Sequence, residues 1–370
     1  MLNRFLTRKT LALFSLALLP LAAFADHVSS NTVFAESNAI DGNRVLVFSR
    51  DPDGHLRADG SFPTGGFGTG KGLGNQGAVI MSDNDRWLLA VNAGSSEISV
   101  FAVRHGDLVL TDIVPSGGAT PISLTIDRNL VYVLNAGGAT PGNISGFYIT
   151  SEGRLTAIPG SIRSLSAANS APAQISFSPS GDTLVVTEKN TNLLDAYQVD
   201  DNGVAGAPTF TPSAGQTPFG FAFTPNGKLI VSEAAGGAAN ASTVSSYGLG
   251  TSGQPVAVTS ALALKQGAAC WVAIARGGRF AYVSNTGSNT VSGLLVAANG
   301  SLQLLDASGV TGHTGVAPGD SAVSDDQQYL YVRNSGDNSI SQFRIASDGH
   351  LSLIGTLYGL PTGASGLVAR

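Results

Sequence analysis

One pattern of alternating hydrophobic and polar positions recurs along the chain. Its clearest copy has an apolar run from Asp320 to Ser324, an alternating strand from Tyr329 to Asn334, a third strand from Ser339 to Ile345, and a tight turn at Gly349 into a fourth strand. A period of two is typical of strands, and Asp-Gly turns supply the positive φ angles that short hairpins need. The pattern therefore predicts a four-stranded antiparallel meander.

A turn glycine, in most copies followed by leucine, marks each copy of this meander. The copies are spaced by roughly 47 to 52 residues, a period typical of propellers and solenoids, and the strand content excludes the helical solenoids. The glycines are Gly54, Gly106, Gly153, Gly203, Gly253, Gly300 and Gly349. Six units are complete, whereas residues 32–56 lack an innermost strand and residues 364–369 form an orphan strand. We predict an all-β, seven-bladed propeller whose ring closes by pairing of the N- and C-terminal strands.

The first 25 residues have the features of a cleaved signal peptide. Arg4, Arg8 and Lys9 precede an apolar run over 11–23, and small residues occupy both positions of the Ala23-Phe-Ala25 cleavage site. No later run offers the roughly 20 apolar residues of a spanning helix. We therefore expect residues 26–370 to form one propeller domain in the periplasm or outside the cell, without membrane insertion and as a monomer.

Charge and motifs exclude several function classes. The net charge of −5 falls to about −8 without the predicted signal peptide, which disfavours nucleic acid as a partner. The five histidines show no catalytic triad or zinc cluster, and the Gly72–Gly77 match to G-x-G-x-x-G precedes a strand rather than a helix, which predicts an inter-blade loop. We expect no cofactor, with a divalent metal such as calcium left open because Asn, Asp and Glu are oxygen ligands.

Meander geometry predicts which residues surround the channel. The innermost strand A starts at the face where strand B ends, so residues at both places gather around one mouth, where we expect a small-molecule ligand to bind. The A-start candidates are Gln174, Phe219, Trp271 and Asp320. The B-end positions are Asn38, Asn92, Asn135, Glu188, Glu233, Asn285 and Asn334. Asparagine also caps turns, which leaves a structural alternative for the asparagines that suits the two glutamates less well.

Three segments, AVIMSDNDRWLLAVNAGSSEISVF, GAACWVAIARGGRFAYVSN and GDSAVSDDQQYLYVRN, resemble the seven-bladed propeller lactonase family. That family includes bacterial 6-phosphogluconolactonase and fungal carboxymuconate lactonizing enzyme. The resemblance places the family glutamate at Glu233. Where active members have a histidine and an arginine, this chain has Ala173 and Phe219, and where they have a second arginine it has Gly319. A phosphosugar needs such cations, so we expect no enzymatic rate on 6-phosphogluconolactone.

Two functions remain open at this stage. The first is an exported hydrolase or isomerase acting on a non-phosphorylated, lactone-like ring, with Glu233 as the catalytic base and the other ring residues binding substrate. The second is a non-catalytic propeller that binds a small ligand, a glycan or a protein partner, because loss of family cations on a retained fold is what such divergence would produce.

Overall fold

The strands form seven antiparallel sheets arranged as the blades of a ring. The computed structural model describes residues 31–104 and 107–370, so the predicted signal peptide and the turn glycine Gly106 lie outside the described residues. Within each blade the strands follow one another from the innermost, A, to the outermost, D. The A strands contact each other cyclically around a central channel. This arrangement confirms the predicted seven-bladed propeller.

The strands are numbered in chain order. Blade 1 contains β30 (Ser365–Ala369), β1 (Thr32–Glu36), β2 (Arg44–Arg50) and β3 (Leu56–Pro63). Blade 2 contains β4 (Val79–Met81), β5 (Trp87–Asn92), β6 (Glu97–Arg104) and β7 (Asp107–Pro115). Blade 3 contains β8 (Pro121–Asp127), β9 (Leu130–Asn135), β10 (Asn143–Ile149), β11 (Leu155–Ala157) and β12 (Arg163–Ser164). Blade 4 contains β13 (Pro172–Phe177), β14 (Thr183–Glu188), β15 (Leu193–Gln198) and β16 (Thr209–Pro212).

The remaining three blades follow the same order. Blade 5 contains β17 (Pro218–Phe223), β18 (Leu229–Glu233), β19 (Thr243–Leu249) and β20 (Pro255–Ala263). Blade 6 contains β21 (Ala269–Ala275), β22 (Phe280–Asn285), β23 (Thr290–Val296), β24 (Leu302–Leu304) and β25 (Gly312–His313). Blade 7 contains β26 (Pro318–Val323), β27 (Tyr329–Asn334), β28 (Ser339–Ile345) and β29 (Leu351–Tyr358). The helical segments of the described chain are two 3₁₀ turns, Ala235–Gly237 and Arg276–Gly278, and neither has the length or apolar character of a membrane-crossing helix.

The two ends of the chain share blade 1. The C-terminal strand β30 is its innermost strand and pairs antiparallel with β1, where Phe34 lies opposite Val368. The Arg370 N–H also donates to the Thr32 carbonyl at 2.9 Å. The predicted closure is therefore confirmed, and it leaves the ring without an unpaired inner edge.

Each blade buries both of its faces against its neighbours. In strand B of blade 7, Tyr329 and Tyr331 pack on blade 1, whereas Leu330 and Val332 pack on blade 6. A strand alternates its side chains between two faces, so both sets of positions become apolar. The hydrophobic core is consequently divided among the interfaces between blades rather than gathered in one centre.

The turn glycines between strands C and D also pack against the neighbouring blade. Gly349 has a φ of 92°, and a Cβ there would lie 2.6 Å from the Phe280 ring of blade 6. Gly54 has the same φ and packs in the same way on Tyr329 of blade 7. Both the backbone conformation and the close contact require glycine. At the described turns, the periodic glycine that predicted the hairpins therefore also sets the packing of its blade on the preceding one.

Candidate functional site

A cavity of about 670 Å³ runs along the inner strands. At the face formed by the A–B turns its lining includes the exposed residues Asp83 and Asp325. At its other end it reaches Gln76 and Gly77, close to where the A strands start. Further lining residues are Leu124, Thr125, Gln174, Ser176, Asp320, Ser321 and Leu367. The cavity is thus a mixed polar and apolar chamber with acidic groups at its open end.

A crossing loop, residues 64–78 between blades 1 and 2, covers the centre of the A-start mouth. The side chain of Gln76 donates to the Val272 carbonyl at 2.8 Å and accepts from the Val272 N–H at 3.1 Å, which binds it to the inner strand of blade 6. The Gln76 N–H donates to Ala173 of blade 4 at 3.1 Å. The loop therefore spans the channel instead of staying with the two blades that it connects.

Asn75 of the crossing loop hydrogen-bonds to residues of blades 6, 3 and 1. Its carbonyl accepts from the Trp271 indole N–H at 2.6 Å, and its side chain hydrogen-bonds to the Ile122 carbonyl and to the Ser365 hydroxyl. The G-x-G-x-x-G match was predicted to be an inter-blade loop, and it is this one. The sequence placed the ligand entrance at the A-start mouth, whereas the exposed residues Asp83 and Asp325 that line the cavity lie at the opposite face.

Four asparagines of the predicted polar ring, at the strand B ends of blades 2, 3, 6 and 7, are fully buried, and each binds strand C of its own blade. Asn92 also accepts from the Asn43 side chain of blade 1 at 3.1 Å. Asn285 donates to Ser292 at 2.9 Å, and Asn334 donates to Ser341 at 2.9 Å. The same contact to strand C is made by Asn92 with Ser99 and by Asn135 with Ser145. None of the four lines the central cavity. These contacts favour the structural alternative for the asparagines, and their role in substrate binding stays a prediction.

Glu233 is also fully buried and accepts four hydrogen bonds. Its Oε1 accepts from the Ser213 hydroxyl at 3.1 Å, the Gly215 N–H at 2.8 Å and the Ser245 hydroxyl at 2.7 Å, and its Oε2 accepts from the Thr243 hydroxyl at 2.5 Å. It does not line the cavity. The catalytic role predicted for Glu233 is untested by these contacts, which resemble those of a structural acceptor.

Glu188 holds the corresponding position in blade 4. It accepts from the Ser166 N–H at 2.9 Å and from the Ser166 and Thr191 hydroxyls. The strand C position that carries serine in blades 2, 3, 5, 6 and 7 carries Asp195 here, with both carboxyl oxygens buried beside Glu188 and Tyr197. Burial and the adjacent Glu188 carboxylate raise the pKa of Asp195 to about 9. Blade 4 therefore contains a buried pair of acidic side chains.

Blade 1 corrects one member of the predicted ring. Strand B of this blade ends at Glu36, not at Asn38. Asn38 lies two residues later and anchors the crossing loop, because it accepts from the Thr69 N–H at 2.8 Å and donates to the Lys71 carbonyl at 2.6 Å. The assignment was wrong because no innermost strand precedes this segment in the sequence to fix its register.

Phe219 and Trp271 pack together beside the crossing loop, with ring centroids 5.0 Å apart. The Lys189 ammonium lies 4.6 Å from the centroid of the Phe219 ring and donates to the Gly74 carbonyl at 2.6 Å. Burial lowers the pKa of Lys189 to about 8. A cation thus stands over the position where the family resemblance expects an arginine and the chain has Phe219.

Arg333 supplies a second cation near an inner-strand start. Its Nη2 lies 2.6 Å from where a Cβ on Gly319 would be, so the guanidinium fills the space that the missing side chain leaves. The expectation that this mouth lacks cationic groups was therefore wrong. Lys189 directly follows the end of strand B in blade 4 and Arg333 directly precedes it in blade 7, and each is the one charged residue at its repeat position. This contrast with the other blades is the sequence signal that could have identified both cations.

Asp320 is the predicted carboxylate that the structure places in the central cavity. It is 2% exposed, its Oδ2 accepts from the Gly366 N–H at 2.9 Å, and the Gly77 backbone also hydrogen-bonds to it. Burial raises the pKa of Asp320 to about 6, against the opposing charge of Arg333. Gln174 lines the same wall, but both ends of its amide bind the Phe221 backbone of blade 5.

The sequence left open a divalent metal, such as calcium, bound by oxygen atoms of Asn, Asp and Glu side chains. Among residues 31–104 and 107–370, no three His, Cys, Asp or Glu side chains come together in a group suited to hold an ion. The calcium alternative stays a prediction.

Comparison with known proteins gives a consistent fold assignment. A candidate 6-phosphogluconolactonase of Bacteroides fragilis is 19% identical, with a TM-score of 0.70, over 92% of this chain and 98% of its own. The periplasmic gluconolactonase PpgL of Pseudomonas aeruginosa is 16% identical, with a TM-score of 0.72, over 91% of this chain and 99% of its own. A Lactobacillus plantarum protein is 17% identical, with a TM-score of 0.72, over 91% of this chain and 98% of its own.

Sequence comparisons add the family. A search of curated proteins finds no match. The sequence profile of the family described as "Lactonase, 7-bladed beta-propeller" matches residues 41–164, 147–265 and 272–359. These matches extend over most of the propeller, and we conclude that the chain belongs to the seven-bladed β-propeller lactonase family.

Proposed function

We propose that this protein is an exported lactonase that hydrolyses a lactone without a phosphate group in the central cavity. The observation that carries the proposal is Asp320, a buried carboxylate on the wall of a cavity of about 670 Å³. That volume lies within the range of roughly 300–1,000 Å³ typical of small-molecule sites. Family membership and the name of the Pseudomonas relative, a periplasmic gluconolactonase, support the reaction class and the export.

In this mechanism Asp320 is the general base. Its carboxylate takes a proton from a water molecule as the water oxygen attacks the lactone carbonyl carbon. The ring carbon–oxygen bond then breaks, and the leaving alkoxide takes up the proton, which yields a hydroxy acid. A pKa near 6 leaves Asp320 ionised at neutral pH while it remains basic enough to accept a proton. The hydroxyls of Thr125 and Ser321 line the same cavity and are the donors that we assign to the developing oxyanion.

Charge at the open end supports a neutral substrate. Asp83 and Asp325 are exposed there, and the neighbouring Arg370 is paired with Asp85 at 3.2 Å. A phosphate group carries close to two negative charges and would be repelled on entry. Substrates without phosphate escape this penalty.

The test is hydrolysis of glucono-δ-lactone, a panel of uncharged lactones and 6-phosphogluconolactone by the purified protein. We expect turnover of at least one uncharged lactone, a loss of about 100-fold or more in kcat for Asp320→Asn, and a decline of kcat/KM below about pH 6. Asp325→Asn, at the exposed mouth, is the matched control and should keep most of the activity. An active Asp320→Asn variant, or preferential turnover of the phosphorylated lactone, would contradict the proposal.

A second function, ligand binding without catalysis, is favoured by two observations. Asp320 is already held by two backbone groups, and no histidine is among the described residues that line the cavity. Saturable binding of a lactone or sugar by calorimetry, with no turnover across the whole panel, would select this function over the first.

A further inference from the structure

We propose that a cleft between blades 7 and 1 binds a small oxyanion, either the carboxylate of a sugar acid or a phosphate group, through Arg333 and Lys71. The cleft has a volume of about 280 Å³ and lies on the A-start face. It shares no lining residue with the central cavity, so the inference goes beyond the proposed lactonase reaction. Its lining consists of Gly70, Lys71, Gly72, Arg333, Asn334, Ser335, Asn338, Leu360, Pro361, Thr362, Gly363 and Ala364.

The first step is the position of Arg333 in the repeat. The residue that directly precedes the strand B end is Ala35, Val91, Leu134, Thr187, Ser232 and Ser284 in the other six blades. Two of the three small polar residues at this position bind the inner strand of the next blade: Thr187 donates to the Phe219 carbonyl, and Ser232 donates to the Cys270 carbonyl at 2.8 Å. Arg333 has a much longer side chain at the same position. The inner strand of the next blade, blade 1, begins just after Gly363 and Ala364, which line the cleft.

The second step is that the guanidinium is buried but unpartnered. Arg333 is 5% exposed, and its Nε is buried without a hydrogen-bond partner. Within the described parts of the chain, its Nη atoms donate no hydrogen bond, and no carboxylate lies within 4 Å to form an ion pair. Removing a guanidinium from water without partners is strongly unfavourable, and proteins normally satisfy all of its donors. An oxyanion in the cleft would supply the missing acceptors.

The third step is the charge around the cleft. Lys71 is exposed on its rim, and none of the described residues that line it is acidic. The carboxyls of Asp320 and Glu36 influence Arg333 electrostatically, but neither residue lines the cleft, and each accepts a hydrogen bond elsewhere, Asp320 from the Gly366 N–H and Glu36 from the Asn43 side chain. The charged side chains that line the cleft are therefore both cationic. A fork of guanidinium N–H groups with an ammonium beside it matches a carboxylate or phosphate group.

Crossing-loop anchors hold Lys71 in place at this rim. The Lys71 carbonyl accepts from Asn38, and the Asn38 side chain also donates to the Gly363 carbonyl at 3.3 Å. One residue thus ties the Lys71 backbone to the opposite wall of the cleft. Preorganised walls reduce the entropy lost when a ligand binds.

The test is isothermal titration of the purified protein with sodium gluconate and, separately, with inorganic phosphate, at low and at physiological ionic strength. We expect at least one probe to bind, with weaker binding at higher salt. Binding of gluconate alone identifies a carboxylate ligand, and binding of phosphate alone identifies a phosphate ligand. Failure of both probes overturns the proposal.

Variants locate the binding. Arg333→Met should weaken it by about 10-fold or more and Lys71→Ala by about 3-fold, because the first removes the forked donor and the second a rim charge. Arg128→Met, whose side chain is 72% exposed, is the matched control and should bind as the wild type does. Replacing an unpartnered buried cation with an apolar side chain is often tolerated, and Lys71→Ala on the exposed rim gives an independent variant. Unchanged affinity in both cleft variants would overturn the proposal.

Discussion

Replacing Asp195 should make the protein more stable at neutral pH. In five blades this strand C position carries serine, which the B-end side chain contacts, whereas blade 4 places the carboxyl of Asp195 beside Glu188. Asp195 is fully buried, and the polar side chains beside its carboxyl are those of Glu188 and Tyr197. The folded chain therefore keeps Asp195 protonated, at a free-energy cost that Asp195→Asn removes without changing the side-chain volume.

The magnitude follows from the two pKa values. The pKa of Asp195 rises from 3.8 to about 9 on folding, so holding its proton at pH 7 costs about 4 kcal/mol at about 1.36 kcal/mol per pH unit. The asparagine amide keeps some unmet hydrogen bonds beside Tyr197, which reduces the benefit. We expect a gain of about 1–3 kcal/mol in the free energy of unfolding at pH 7. Because the folded pKa is the higher one, the penalty is absent below about pH 4 and grows until about pH 9.

The assay is urea unfolding of the wild type and Asp195→Asn at several pH values from 4 to 9. The two curves should coincide near pH 4 and separate progressively as the pH rises. Asp195→Ser, which restores the residue of the other blades, should show the same trend, and Asp201→Asn on an exposed turn should show none. A difference that is constant with pH, or a variant less stable than the wild type at pH 7, would refute the reasoning.

Two further predictions concern the ring. Glu233→Gln should lower the free energy of unfolding by about 1–3 kcal/mol, because an amide N–H₂ would face hydroxyl and N–H donors. Urea unfolding measures this change, with the exposed Glu152→Gln variant as the control. Lost activity with unchanged stability would instead support the general-base role of Glu233. Deleting residues 361–370 should cost more than about 5 kcal/mol, because it removes buried Leu367 and leaves the inner edge of β1 without a partner strand. A melting temperature within a few degrees of the intact protein would contradict the closure.

The sequence by itself determined the blade, the number of blades and the closure of the ring. These depend on local chemistry: alternation selects strands, and a glycine with positive φ selects each hairpin. Such signals repeat about every 49 residues, so seven weak indications reinforce one another. Meander geometry also placed Glu233 and the asparagines correctly at the ends of their B strands. It failed at Asn38, where no preceding strand fixes the register.

Only the tertiary structure decided which mouth the crossing loop covers and where the charges lie. The Gln76–Val272 and Asn75–Trp271 hydrogen bonds join residues 196 positions apart, and no local pattern encodes such a contact. Arg333 and Lys189 reach past their own strand positions to stand over Gly319 and Phe219, so a comparison of equivalent positions misses them. Pairing within a meander joins strands that follow one another in the chain. The central cavity is instead lined by side chains from five different blades, so its chemistry exists only once the ring has closed.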